Sequence, residues 1–317
     1  MKAVFLDYST LGKGLDTSPL TRLVPNFEFF DTTEDAEVDS RIADAEFVIA
    51  NKVRIDGSHM KRAHNLRYVG LTATGTDNID LDSARDLGIA VCNITGWCTN
   101  SVTEHVFGVL LMLTHNLHNY MAAVRAGAWP NAQAFCMHDY PIRELSSMTM
   151  GIVGHGELGS AVARRARDFG MNVLLSARQG ALEVPDGRTA FENVLEQSDV
   201  ISLHCPFTEE TDNFFGASEF QRMKSSSIFV NTARGALVDS HALVAALESG
   251  EIAAAAIDVL RSEPPVDGDP LLDYEGDNLV VTPHIAWSSA EARQAAVTEL
   301  AANIEAFLNG QKRNRVV

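Results

Sequence analysis

The chain has 317 residues, 46% hydrophobic and 21% charged, a globular composition long enough for two domains, each with its own core. Its 25 Lys and Arg against 42 Asp and Glu leave a net charge of −17, which argues against nucleic acid or an anionic membrane as partner. Cys92, Cys98, Cys136 and Cys205 form no Cys-x-x-Cys pair, so neither a metal site nor a disulfide framework is signalled. No apolar run reaches membrane-spanning length and no signal-peptide layout precedes the first strand, so a cytoplasmic location is expected.

Short β-rich runs at residues 3–6, 27–30, 47–50, 66–71 and 89–92 alternate with polar helical stretches, the pattern of a parallel sheet. Residues 72–78, Thr-Ala-Thr-Gly-Thr-Asp-Asn, follow one such strand and lead into a helix at 81–87. Two readings stand for this turn: backbone amides holding a carboxylate, or an ordinary strand-to-helix turn capped by Asp77 or Asp80.

Residues 100–126 carry Val102, Val106, Val109, Leu113, Leu117 and Tyr120 at helical spacing, which predicts one long helix bridging two units. His105, His115 and His118 on it have no metal-ligand grouping and read as core or surface residues. Residues 127–145 are aromatic and irregular, with Trp129, Phe135 and Tyr140; they read as an excursion packed on another subunit or as a loop folded on its own domain.

The stretch that organises the chain is Gly154-His155-Gly156-Glu157-Leu158-Gly159, with a strand before it, a helix over 161–169 after it, and a further strand over 171–176. Gly154 permits a tight turn, Gly156 lets the backbone approach a pyrophosphate, and Gly159 lets the helix lie close on its strand. The alternation resumes with strands at 200–203, 228–231, 253–257 and 279–281, completing a doubly wound sheet, and a last helix over 289–308 suits a return to the first domain.

The second strand of the dinucleotide unit ends Leu175-Ser176-Ala177-Arg178, where an acidic residue would hydrogen-bond an NAD ribose. With Ala177 there, nothing repels a 2′-phosphate, Ser176 donates a hydrogen bond and Arg178 offers a bidentate pair, so NADP(H) is expected. The alternative is a solvated Arg178 with NAD(H) bound through its other contacts.

Three complementary side chains follow strand ends: Arg234, a planar fork for a 2-oxo carboxylate; Glu263; and His284, which passes the proton that accompanies hydride transfer to a carbonyl. A neighbouring carboxylate orients the histidine and raises its pKa. Asp258, at the end of its own strand, is a candidate for the nicotinamide carboxamide, with loop hydrogen bonding as the alternative.

Together with the glycine turn, His204-Cys205-Pro206, Asn231-Thr232-Ala233-Arg234-Gly235, Ala256-Ile257-Asp258-Val259, Ser262-Glu263-Pro264 and Thr282-Pro283-His284-Ile285-Ala286 resemble the D-isomer-specific 2-hydroxyacid dehydrogenases over nearly the whole chain. Within that family, Thr72-Ala73-Thr74-Gly75-Thr76, Phe135-Cys136, Asp139-Tyr140-Pro141-Ile142 and Ile285-Ala286-Trp287 look most like the glycerate dehydrogenase, or hydroxypyruvate reductase, branch.

The resemblance implies a Rossmann cofactor domain (99–288) inserted in a flavodoxin-like substrate domain (1–98 and 289–317), and a homodimer built largely by residues 100–145. It implies that Arg234 binds the substrate carboxylate and carbonyl, that His284 is the acid/base supported by Glu263, and that the amides of Thr74 and Gly75 hold the carboxylate. Thr103, Cys205, Pro206, Thr211, Thr232 and Ala233 match cofactor-lining positions, beside Gly154, His155, Gly156, Glu157, Leu158 and Gly159. The expected partner is a small 2-oxo or 2-hydroxy acid such as hydroxypyruvate or glyoxylate. D-lactate and phosphoglycerate dehydrogenases are the nearest alternatives, although no basic cluster beyond Arg54 serves a phosphate near residues 72–77. Formate dehydrogenase is disfavoured by Glu263, where that relative carries glutamine. A nucleotide-sensing binding protein of the same fold is the alternative from another class.

Overall fold

The computed structural model describes residues 1–317 and divides into two compact units, Met1–Cys98 with Ser288–Val317, and Thr99–Trp287. In the first unit β1 (Lys2–Phe5), β2 (Asn26–Phe29), β3 (Phe47–Ala50), β4 (Tyr68–Leu71) and β5 (Ala90–Cys92) alternate with α1 (Ser18–Leu23), α2 (Asp35–Ile42), α3 (Gly57–Arg62) and α4 (Leu81–Asp86). The strands form one parallel sheet in the order β2-β1-β3-β4-β5, the flavodoxin-like doubly wound arrangement. Every residue of β3 and β4 is buried, and since successive side chains point to opposite faces, both faces of this sheet are covered.

The second unit opens with α5 (Thr99–Thr114) and α6 (Leu117–Arg125). It continues through β6 (Thr149–Val153), α7 (Glu157–Asp168), β7 (Asn172–Leu175), α8 (Phe191–Gln197), β8 (Val200–Leu203), α9 (Ala217–Arg222), β9 (Ile228–Asn231), α10 (Ser240–Ser249), β10 (Ala254–Ile257), α11 (Pro270–Asp273) and β11 (Leu279–Val281). Its parallel sheet runs β11-β10-β9-β8-β6-β7. Beyond β7, Thr189 forms a one-residue parallel bridge with Ser176. Counting that bridge as a strand gives the Rossmann order with one further strand on the β11 side, and the switch point falls between β6 and β8. The chain then returns to the first unit as α12 (Ala290–Leu308), which packs on α1 and β4; Leu300 lies so close to Gly70 that a Cβ there would meet its Cδ1 at 2.8 Å.

The apolar spacing over 100–126 predicts one helix, but the structure breaks it. Asn116 adopts a left-handed backbone (φ 51°), a conformation asparagine accepts more readily than most residues, and its side chain donates to the Pro141 carbonyl at 2.6 Å. Just before it, the Thr114 hydroxyl bonds back to the Leu110 carbonyl at 2.9 Å, a local bond that competes with helix continuation. The apolar period runs on through Leu117, yet α6 buries none of its residues.

Candidate active site

The glycine turn follows β6 at the switch point, and each glycine answers a different constraint. Gly154 has φ 91°, and a Cβ on it would strike the His204 and Cys205 backbone at 2.5 Å. Gly159 lies against the Gly154 carbonyl, where a Cβ would sit 2.0 Å from the oxygen. Gly156 meets nothing within 4 Å, so no protein packing requires it, and the open side of that residue is where a phosphate would come against the backbone. Glu157 and Leu158 open α7, whose first amides have no partner within the helix, and Thr99 of α5 donates its hydroxyl to the Glu157 carboxylate. Residues and helix dipole together fit a dinucleotide pyrophosphate. The ring of His204 lies under the turn with Nε2 2.8 Å from the Ser202 hydroxyl, and loss of hydration pushes it down to about 4.

At the tip of β7 Ala177 is buried and its amide donates to Thr189 at 2.8 Å, while Arg178 is exposed. Ser176, expected to donate to a 2′-phosphate, does not present its hydroxyl: it is buried and donates to the Ala177 carbonyl at 2.7 Å. The hydroxyl expected to donate to a 2′-phosphate is thus engaged on the backbone of its own strand end, where the Ser176–Thr189 bridge extends the ladder. The same bridge brings in Arg188, whose guanidinium lies 3.5 Å from the Ser176 carbonyl. Burial, then the charges of Arg188 and Arg167, push the His155 ring below its usual range.

Of the other expected cofactor positions, Thr232 at the end of β9 carries a buried hydroxyl with no hydrogen-bond partner, the kind of orphan a bound group would satisfy. Ala233 follows, half-buried. Cys205 is pushed up to about 11 by burial and is a neutral thiol, beside exposed Pro206. Thr103 on α5 is buried and donates to the Thr99 carbonyl at 2.7 Å. Thr211 engages its hydroxyl within its own turn, accepting from the Thr208 amide at 2.7 Å.

Arg234, Glu263 and His284 lie just past the carboxyl ends of β9, β10 and β11, three neighbouring strands. Arg234 is half-buried and has no carboxylate partner; one guanidinium nitrogen donates to the Ala233 carbonyl at 2.8 Å, and Asn231 clamps its backbone by donating to the Arg234 carbonyl at 2.9 Å. Glu263 accepts from the Leu260 amide on one oxygen (2.9 Å) and faces His284 Nδ1 at 2.5 Å with the other. With Nδ1 engaged, His284 Nε2 is the nitrogen left for a substrate. His284 itself has a left-handed backbone (φ 54°).

That turn is held by Asp258, which is 2% exposed. Its carboxylate accepts from the Thr282 hydroxyl (2.5 Å) and from the amides of Ile285 and Ala286 (2.9 Å each), and its carbonyl accepts from the His284 amide at 2.8 Å. Loop hydrogen bonding is therefore realised, and it takes three of the about four acceptor directions on the carboxylate.

In the first unit the Thr74 hydroxyl donates to the Ile94 carbonyl at 3.0 Å, and Asn93 donates to the Thr74 carbonyl at 2.7 Å. The amides of Thr74 and Gly75 have no partner within that unit, and Asp80 is the residue that caps α4.

Sequence reasoning missed three residues. Arg188 has no local pattern and acquires meaning only through the Thr189 bridge. Arg261 donates to Asp212 at 2.6 Å and Asn213 at 2.5 Å and so tethers the loop that carries Glu263; its position two residues before that glutamate was the available signal. His105, read as a core or surface residue, approaches Thr282 at 3.3 Å.

The family profile described as D-isomer specific 2-hydroxyacid dehydrogenase, NAD binding domain, matches residues 107–286. The chain is 41% identical to a glycerate dehydrogenase of Methylorubrum extorquens over 99% of this chain and 98% of that one. It is 37% identical to a hydroxypyruvate reductase of Blautia hydrogenotrophica over 100% and 99% of the two chains. Among solved structures it is similar to the TT0316 protein from Thermus thermophilus, with a TM-score of 0.85, 33% identity and 100% of both chains covered.

Proposed function

The chain belongs to the family of D-isomer specific 2-hydroxyacid dehydrogenases, and from that premise we propose that its substrate is a small 2-oxo acid of the hydroxypyruvate or glyoxylate kind, reduced to the D-2-hydroxy acid. The observation that carries the chemistry is the 2.5 Å approach of Glu263 Oε2 to His284 Nδ1. The names of the Methylorubrum and Blautia relatives support the choice of substrate.

The Arg234 guanidinium, which has no carboxylate partner in the protein, binds the substrate carboxylate and polarises the carbonyl. As charge develops on the carbonyl oxygen, His284 Nε2 delivers a proton, while Glu263 keeps Nδ1–H in place and stabilises the imidazolium form; in the reverse direction the same nitrogen accepts it. A bound nicotinamide supplies or takes the hydride. We assign a carboxylate-binding role to the amides of Thr74 and Gly75. The cofactor is assigned to the Gly154–Gly159 turn, the positions Thr103, Cys205, Pro206, Thr211, Thr232 and Ala233, and Asp258. Bare Ala177 with Arg178 beside it supports NADP(H) over NAD(H).

We also propose a homodimer, formed through α6 and the aromatic excursion after it, where Met121, Trp129, Phe135 and Ile142 are exposed and Phe135 reaches 90%. No helix is long and apolar enough to cross a membrane, and all four cysteines are free, which supports a reducing, cytoplasmic setting.

The test is the initial rate of NADPH and NADH oxidation, in parallel, with hydroxypyruvate and glyoxylate. Turnover faster with NADPH is expected. His284→Asn should lower kcat by about 10²- to 10⁴-fold with the fold retained; near-normal turnover of that variant would remove the proposed acid. Sedimentation at working concentration should show a dimer, and a stable monomer would overturn the interface.

A further inference from the structure

His105 stands in the middle of α5, 17% exposed at its side chain, with Nε2 3.3 Å from the Thr282 hydroxyl oxygen and 3.9 Å from Asp258 Oδ1. The Thr282 hydroxyl has one proton, and at 2.5 Å from Asp258 Oδ1 that proton is given to the carboxylate. Toward His105, Thr282 is then an acceptor, which requires Nε2 to carry the ring hydrogen. The hydrogen bonds run in one direction, from His105 Nε2–H to Thr282 Oγ1–H to Asp258. Such chains polarise one another and hold each member more firmly than a single bond does.

Asp258 is the post on which the following loop hangs. Its carboxylate takes the amides of Ile285 and Ala286, each at 2.9 Å, and its carbonyl takes the amide of His284 at 2.8 Å. His284 sits in a left-handed conformation that a non-glycine residue keeps only when its surroundings over-determine it. The angle at which its ring meets Glu263, and at which Nε2 meets a substrate, follows from that backbone.

We propose that His105 is a positioning residue for proton transfer: by donating to Thr282 it fixes the direction of the Thr282–Asp258 bond, which in turn holds the His284 turn in its catalytic conformation. Burial pushes the imidazole below its usual range against the opposing pull of Asp258, so the ring is neutral and has one donor to give. The inference rests on the reading of His284 as the acid, and it is tested by a measurement on the free enzyme that does not.

That measurement is amide hydrogen exchange at Ile285 and Ala286, alongside kcat and the KM for the 2-oxo acid. His105→Leu removes the donor at similar volume and should lower exchange protection at both amides and kcat by roughly tenfold each, the worth of one hydrogen bond, with KM within twofold. His105→Gln carries an amide donor of similar reach and should recover most of both. Thr282→Val, which removes both bonds of the chain, should be at least as impaired as His105→Leu, and the double variant should be no worse than Thr282→Val alone, because both cut one chain. Unchanged protection in His105→Leu, equal impairment in Gln and Leu, or additive losses in the double variant would overturn the proposal. If His105→Leu fails to fold, Thr282→Ser against Thr282→Val decides: the serine keeps the relay, and equal behaviour of the two would overturn it. Should His284→Asn stay active while these exchange effects hold, the assignment of the acid fails and the positioning chain stands.

Discussion

Gly235 and Leu260 meet backbone to backbone, so closely that a Cβ on Gly235 would lie 2.0 Å from the Leu260 carbonyl carbon and 2.2 Å from its oxygen. The loop carrying Arg234 and the loop carrying Glu263 are thereby pressed together. Gly235→Ala should force them apart, costing about 1–3 kcal/mol of stability as an overpacked site does, with a fall in kcat larger than the change in KM. Thermal melting and steady-state kinetics check both parts; an unchanged melting temperature would mean the loops give way freely.

The glycine turn makes a sharper pair. In an ordinary helix Gly→Ala stabilises by roughly 1 kcal/mol, but at Gly159 the new methyl meets the Gly154 carbonyl, so Gly159→Ala should destabilise the free protein. Gly156→Ala meets nothing within 4 Å and should leave melting unchanged while weakening cofactor binding. Differential scanning calorimetry with and without cofactor separates the two effects, and equal destabilisation by both would contradict the division of roles.

For cofactor choice, Arg178→Ala should lower the ratio of NADPH to NADH kcat/KM by about 10- to 100-fold, the range of a charge-assisted hydrogen bond. Arg188→Ala, at the Ser176 carbonyl, should lower the same ratio by a smaller factor, and Ser176→Ala should leave it unchanged because that hydroxyl faces its own backbone. A ratio unmoved by Arg178→Ala would end the preference for NADP(H).

His204 supplies a pH dependence of stability. Its ring is held down at about 4 in the folded protein against an ordinary value of 6.5, so over that window the unfolded chain binds a proton that the folded chain does not. Stability is complete above 6.5 and falls as the pH drops toward 4, by about 2 kcal/mol at pH 5. Urea unfolding at pH 7 and pH 5 should show this loss, and His204→Asn should flatten it; a variant with the same slope would place the proton uptake elsewhere.

Much of this was legible from residue order. Buried parallel strands announce themselves as short apolar runs, and a phosphate turn needs glycines at spacings few other structures demand. The three strand-end residues were legible because a parallel sheet puts all its carboxyl ends on one edge. What was not legible depends on contacts between distant segments. The break at Asn116 competes with an apolar period that continues past it, and the strand end at Ser176 pairs with Thr189, thirteen positions away. His105 lies 177 positions from Thr282 and looks like any other helix histidine until the sheet is assembled.

The left-handed residue at position 116 has a wider consequence. One backbone torsion there sets the bearing of α6, and with it the direction in which Leu117, Met121 and Val124 are offered to the outside. Gain or loss of a single residue in that turn would swing the stripe by about 100° around the helix axis. The strand ends that hold Arg234, Glu263 and His284 would be untouched. In the proposed homodimer such a change would re-aim the contact surface while leaving the strand-end chemistry as it is.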